Sequence, residues 1–399
     1  MTNKKPLSPQ FVRSTQAAIA YWHRRTQEID DETIQQLDTE RQNLFQALQF
    51  GLALPQTWHD TAEVALQAFD LVQRRGYWQE GIAVLEQALA VCPDGQLSLR
   101  FHLLSRLGQL QRFSQQLQTA IETHLQALTV AQEVGDPQIM GIAYHNLSED
   151  HLRCRDYTAT EKYGQAALTA LHNLEGAAYW EALTLGTLGE MARFCGDLAA
   201  SEAMLSQAVA IKRKLGQPIP LIRILNILAI TLQTAGKFNE ALHCYEEASR
   251  LLAATSYELD KIMIQINLGA LYFQLKQWPE AEAALRQVNL TYLRQTNKTY
   301  YEAATAQNLG NLLLKQGRPR ETTPYLQRAI MLWKTIGEEF EQANSLEILG
   351  EALVAQGQIT DALPLYEEAI VLLKKFPEDA RAQKLLAEFE LTYRQLVSA

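Results

Sequence analysis

The chain is poor both in residues that interrupt helices and in arrangements that do chemistry. Only 12 prolines and 20 glycines occur in 399 residues, and the abundant Ala, Leu, Gln and Glu favour helix in the stretches between them. The four cysteines, Cys92, Cys154, Cys195 and Cys244, form no CxxC pair and no zinc-ligand spacing, so reduced thiols in a cytoplasmic protein are expected. Basic residues are outnumbered, 36 Lys and Arg against 45 Asp and Glu. A net charge of −9 argues against general nucleic-acid affinity, which needs clustered cations to neutralise phosphates. No apolar run approaches the length that spans a bilayer. The two lysines of MTNKKPLSPQ have no apolar stretch behind them, so neither a membrane anchor nor an export signal is expected. Neither a GxSxG elbow nor a GxxxxGK[ST] phosphate loop occurs. Hydrophobic side chains, by contrast, make up 47%, ample for a packed core and too many for a disordered chain.

A repeat organises them. Short turns such as RGYWQEG, CRDYTAT, CGDLAAS, AGKFNEA, LKQWPEA and QGQITDA align on Gly76, Gln115, Arg155, Gly196, Gly236, Lys276, Gly317 and Gly357. Their separations are 39, 40, 41, 40, 40, 41 and 40 residues, a step too constant for chance. Seven residues before the turns stand Gly108, Ser148, Gly189, Ala229, Gly269, Gly310 and Gly350, with Phe69 the exception in the first unit. Glycine inside a helix costs about 1 kcal/mol relative to Ala, so its recurrence there implies close helix packing. Twelve residues after the turns come Ala88, Ala127, Ala167, Ala208, Ala248, Val288, Ala329 and Ala369. Gly95, Gly135, Gly176, Gly216, Ser256, Asn297 and Gly337 close the units; Gly and Asn suit a left-handed helix end. Each unit reads as helix A, turn, helix B and cap.

This pattern resembles the tetratricopeptide repeat, as in Gly269, Trp278 and Ala281, or Ala229, Phe238, Ala241 and Ala248. The usual period is about 34 residues, so the step here implies the long-period type with longer helices. The resemblance covers residues 56–376 and implies an all-α fold, a right-handed α-solenoid of about eight helix-turn-helix repeats. An N-terminal helical pair over 1–55 and a capping helix over 377–399 are expected to flank them. Ser8 and Pro9 suit the start of the first helix, and a second is expected from near Asp30. Its stretch LDTERQNLFQALQFGLAL is similar to the segment that precedes the repeat sensor arm of bacterial STAND-type signalling ATPases.

The remaining question is where such an array would bind. His145 and His151 are six residues apart, which turns them to different sides of a helix with 3.6 residues per turn, so they are not expected to hold a metal. Cys154 and Cys195 precede equivalent turns and are expected as small packed positions, the alternative being a redox pair. The aromatics after the turns, Tyr77, Trp78, Tyr157, Phe238 and Trp278, are expected between helices. The family resemblance implies that helix A lines a concave groove. It places Asn146, Asn267 and Asn308 two residues before the small position, with Asn311 just after it and Lys315 further along. An Asn there either holds a peptide backbone, since an amide donates and accepts at once, or bonds within its own repeat. The same register turns Arg106, Arg112, Arg153, Arg193 and Arg223 inward, with His102, Glu149 and Glu190 among them. These arginines either grip an acidic partner segment or C-terminal carboxylate or pair internally with Glu149 and Glu190. Ile227, Ile230, Met263, Ile266 and Phe273 make the next stretch of wall apolar.

The expected function is that of a non-enzymatic protein–protein interaction scaffold or adaptor. It takes a peptide segment or helix of a partner, with an acidic part, and needs no cofactor. The alternative is a detached sensor or regulatory arm acting in trans with a signalling ATPase, protease or other effector, and sensing a protein or a small molecule.

Overall fold

The computed structural model describes residues 8–27, 31–216, 218–253, 255, 257–377 and 379–398. Asp30 and Ser256, both named above, lie outside the described residues. Every regular element within them is a helix.

Six helices come first: α1 (Pro9–Arg25), α2 (Asp31–Thr39), α3 (Arg41–Leu52), α4 (Trp58–Gln67), α5 (Phe69–Arg75) and α6 (Trp78–Ala90). Ser8 caps α1 by accepting from the Phe11 N–H at 3.2 Å, with Pro9 in the first turn. The stretch read as one second helix is broken near Glu40 into α2 and α3. Hairpins follow as α7 (Leu97–Phe113) with α8 (Leu117–Val134), α9 (Pro137–Arg153) with α10 (Tyr157–Leu171), and α11 (Ala178–Phe194) with α12 (Leu198–Leu215). Next are α13 (Pro218–Thr234) with α14 (Phe238–Leu252), and α15 (Glu258–Gln274) with α16 (Trp278–Arg286) and the short α17 (Leu290–Gln295). The last are α18 (Thr299–Lys315) with α19 (Pro319–Ile336), α20 (Glu339–Ala355) with α21 (Ile359–Leu373), and the terminal α22 (Ala380–Ser398).

All eight turn positions adopt positive φ, from 58° at Lys276 to 84° at Gly196. Each is closed by the same backbone bond, as from Gln116 N–H to the Gln111 carbonyl at 2.8 Å or from Arg318 N–H to Leu313 at 2.9 Å. This is the Schellman closure of a helix C-terminus, which explains why glycine is so frequent at that position. The positions between repeats behave alike, with positive φ at Gly95, Gly135, Gly176, Gly216, Asn297 and Gly337.

The small-residue ladder is a packing device. A Cβ on Gly189 would lie 2.7 Å from Leu205, one on Gly269 2.5 Å from Leu285, and one on Gly350 2.6 Å from Tyr366. In the third repeat the sizes are exchanged: Ser148 bonds the Thr160 carbonyl at 2.8 Å and faces Gly164. The alanines of helix B are fully buried from Ala88 to Ala369. At the one exception, Val288, helix B is interrupted, and Asn289 caps α17 by accepting from the Tyr292 N–H at 3.0 Å.

The chain divides into two compact units, Met1–Ile224 and Leu225–Ala399. In the first, Trp22, Leu44, Trp58, Phe69 and Leu85 share one core, and Trp58 donates its indole N–H to the Ala88 carbonyl at 3.0 Å. In the second, Tyr366 and Leu373 of α21 pack with Phe389 of α22, so α22 buries its apolar side against the last hairpin. Cys154 and Cys195 are exposed, which corrects their reading as packed small residues: both are helix C-cap residues. No helix among the described residues is long and apolar enough to cross a membrane.

Candidate functional site

In Met1–Ile224 the helix A row consists of α7, α9, α11 and the first residues of α13. Its polar side chains bond sideways, from one repeat to the next. Gln109 donates to Asn146 Oδ1 at 3.2 Å, and Arg153 Nη2 lies 3.4 Å from Glu149 and 3.7 Å from Glu190. Arg193 reaches Glu190 at 3.9 Å and lies over the Phe194 ring.

Arg112, expected on the open face, is 7% exposed. It pairs with Asp150 at 2.7 Å and Glu149 at 3.5 Å. Burial works against its charge, but Glu149 and Asp150 outweigh it and hold its pKa above the usual value. Asp150 and His124 are both fully buried and in contact through His124 Nδ1; the other ring nitrogen faces the Ser105 carbonyl at 3.2 Å. Sequence reasoning passed over both residues. His124 occupies the helix B position that holds Leu205, Tyr245, Leu285, Leu326 and Tyr366 elsewhere, and a Cβ on Gly108 would lie 2.4 Å from its ring. A histidine in an apolar ladder was the available signal.

Asn146 is fully buried, and among the described residues its amide N–H2 has no partner. Arg106 donates to Gln109 at 2.9 Å and stacks on Phe69, 4.2 Å from the ring centre. Arg153 keeps 46% of its side chain exposed, and Arg223 is exposed. Tyr179 and Lys212 were also missed. Lys212 is fully buried where the other repeats carry Cys92, Ala131, Leu171, Leu252, Tyr292, Trp333 and Leu373. Its ammonium donates to the Tyr179 carbonyl at 3.0 Å and sits 3.4 Å from the centre of that ring.

The buried ionisable groups make this unit sensitive to acid. Burial lowers the His145 pKa from 6.5 to about 4, so the ring is neutral at neutral pH. Burial alone would raise Glu149, but Arg112 and Arg153 bring it down to about 2. As pH falls from about 6.5 to about 4, the unfolded chain takes up the His145 proton and the folded chain does not, so stability drops. A second loss follows as pH falls from about 4.5 towards 2, where Glu149 takes its proton only in the unfolded chain first. Urea unfolding midpoints should therefore decline from pH 6.5 downwards, and His145→Gln should flatten the upper part of that decline.

In Leu225–Ala399 the row is more apolar. Ile227, Ile230, Met263 and Phe273 are half-buried and Ile266 is buried. Asn267 donates to Asn226 at 2.8 Å, an inter-repeat bond of the kind seen in the first unit. Asn308 and Asn311 are half-buried. Lys315 is exposed and pairs with Glu351 at 3.1 Å, beside a cleft of about 480 Å³ that Leu314, Val354 and Leu396 also line. Among the described residues no three His, Cys, Asp or Glu side chains are placed to hold a metal ion.

The tetratricopeptide repeat model matches residues 220–288 and 302–375. That stretch of the chain carries tetratricopeptide repeats, within an all-α helical-hairpin fold. Solved structures share the fold at low identity. The signal transduction ATPase with numerous domains from Pyrococcus horikoshii, which carries a tetratricopeptide repeat sensor, is 10% identical with a TM-score of 0.60. That match covers 84% of this chain and 52% of the other, about half its length. The apo quorum sensor NprR from B. thuringiensis is 15% identical over 70% of this chain and 80% of its own, with a TM-score of 0.55. A Rap protein in complex with competence and sporulation factor is 13% identical over 84% of this chain and 99% of its own, with a TM-score of 0.54. No curated protein matches the sequence.

Proposed function

We propose that the chain is a non-enzymatic scaffold, acting in the cytoplasm, whose helix A row in Met1–Ile224 holds a segment or helix of a partner protein. Arg106, Arg153, Arg193 and Arg223 meet its acidic part, and Arg112 and Asn146 hold that row in register. In Leu225–Ala399, Asn267, Asn308, Asn311 and Lys315 are the polar contacts of a second stretch. The observation that carries this reading is the sideways bonding: Arg153 spans Glu149 and Glu190 yet stays half-exposed. A guanidinium held in place before binding loses less freedom on meeting a carboxylate. The Rap protein solved in complex with competence and sporulation factor has a similar fold, and that likeness supports a bound partner here.

The test is affinity capture with the double charge reversal Arg153→Glu and Arg193→Glu. Partner recovery should fall about tenfold, the loss of roughly 1.4 kcal/mol, while helicity measured by circular dichroism stays unchanged. Unaltered recovery would remove the assignment. A second reading, a sensor arm working in trans with a separate signalling ATPase, is favoured by the fold likeness to the Pyrococcus horikoshii sensor. It predicts that the captured protein is an ATPase or another effector.

A further inference from the structure

Two tyrosines hold the same helix B position, Tyr245 and Tyr366, and only one has its hydroxyl satisfied. They are 0% and 1% exposed. The Tyr245 hydroxyl reaches Gln233 at 3.5 Å. In the last repeat the residue corresponding to Gln233 is Val354, which has no polar side-chain atom. Among the described residues the Tyr366 hydroxyl makes no hydrogen bond, whereas a buried tyrosine usually finds a partner. Tyr366 lines the cleft of about 480 Å³ with Leu314, Lys315, Glu351, Val354 and Leu396. Its ring carbon Cζ would stand 3.1 Å from a Cβ on Gly350. The hydroxyl end of the ring therefore lies against α20, beside the residue that precedes Glu351 and stands one turn from Glu347.

Glu347 and Glu351 are four residues apart on α20 and share a face. Glu351 pairs with Lys315 of α18 at 3.1 Å; Glu347 forms no ion pair among the described residues. Burial first, and Glu351 next, raise the Glu347 carboxyl to about 8, so it keeps its proton at neutral pH. Glu388 of α22 acts in the same direction and Lys315 against it. Burial and both glutamates of α20 also raise the Tyr366 phenol. Acidic groups thus outnumber the one lysine here, and Glu347 holds a proton where a cation would serve. Leu314, Val354 and Leu396, all half-buried, give the cleft an apolar wall. Its volume is that of a small-molecule site, roughly 300–1,000 Å³.

We propose that this cleft binds a small amphipathic amine. The ammonium donates to Glu351, to Glu347 and to the Tyr366 hydroxyl oxygen, and the apolar body lies along Leu314, Val354 and Leu396. The arriving cation takes the place of the Glu347 proton, which leaves to solvent. The site lies within Leu225–Ala399 and does not depend on the scaffold reading.

The probe is 4-phenylbutylamine, titrated calorimetrically into the full chain beside its neutral and anionic counterparts, 4-phenylbutanol and 4-phenylbutyrate. We expect saturable binding of the amine, binding of the alcohol about tenfold weaker or more, and no heat from the butyrate. Glu351→Gln should weaken the amine about tenfold, the worth of one charge-assisted contact. Tyr366→Phe, which keeps the ring, should weaken it by roughly fivefold. Amine affinity should rise from about pH 6 to about pH 8, because proton release and amine binding are linked, and Glu347→Gln should flatten that rise. Should Tyr366→Phe fail to fold, Glu351→Gln decides, on a side chain that is 39% exposed. Alcohol binding as tight as the amine overturns the ammonium and leaves an apolar cleft; butyrate binding tighter than the amine overturns the sign of the charge. Equal amine affinity in wild type and Glu351→Gln, or no pH dependence in wild type, overturns the assignment of the glutamates.

Discussion

Replacing Asp150 by Asn is expected to destabilise Met1–Ile224 by about 3–5 kcal/mol, the cost of leaving a buried charge unpaired. The carboxylate is fully buried between Arg112 Nη1, at 2.7 Å, and the His124 ring. Asn keeps the shape and removes the charge, so Arg112 would retain only Glu149, at 3.5 Å. Exposed pairs elsewhere are different. Breaking Lys315–Glu351, both partly exposed, should cost at most about 1 kcal/mol. Urea unfolding of Asp150→Asn beside Lys315→Gln reads the contrast directly; equal midpoints would show that the buried network contributes no more than a surface pair. The double change Arg112→Met with Asp150→Leu should recover part of the loss, because an apolar pair has no desolvation cost to offset.

The second large effect lies in the ladder of small residues. Leu326 is fully buried, and its Cγ would be 2.7 Å from a Cβ on Gly310. Leu326→Ala should cost about 2–5 kcal/mol through lost burial and the cavity left behind. Gly310→Ala should cost about 1–3 kcal/mol by forcing Leu326 from its place. The double variant should be more stable than the sum of the two losses predicts, by about 1 kcal/mol or more, since each change makes room for the other. Simple additivity, measured as urea midpoints, would mean that the two side chains do not share one space. Gly186 gives the opposite case. A Cβ there meets only Ile224, at 3.6 Å, so Gly186→Ala should stabilise the helix by about 0.5–1 kcal/mol.

These two sites show what could be read from the letters and what could not. The ladder was legible because its causes are local and recur with every repeat. A left-handed residue closes each helix A, and in four of the repeats a glycine accepts a Leu or Tyr from helix B. Even the turns lacking glycine, at Gln115, Arg155 and Lys276, adopt the expected positive φ. The break at Glu40 between α2 and α3 was not legible, since neither glycine nor proline marks it. Within the site, the register assigned the arginines to the A helices but did not say which were spent internally. Arg112 and Arg193 stand at the same register, four residues after the small position, yet Asp150 draws the first under the surface while the second stays half-buried. Asp150 occupies no ladder position. His124 and Lys212 do, and each is a polar residue where the other repeats are apolar, which is how they could have been found.

The central claim is that partner binding belongs to the helix A row and not to the outer helices. A photo-crosslinking amino acid placed at His102, exposed on α7 beside Arg106, samples the first; the same probe at Gln207, exposed on α12, samples the second. The account predicts a crosslinked partner from position 102 that disappears in the Arg153→Glu, Arg193→Glu background, and none from position 207. Crosslinking from position 207 that survives the double charge reversal would contradict it.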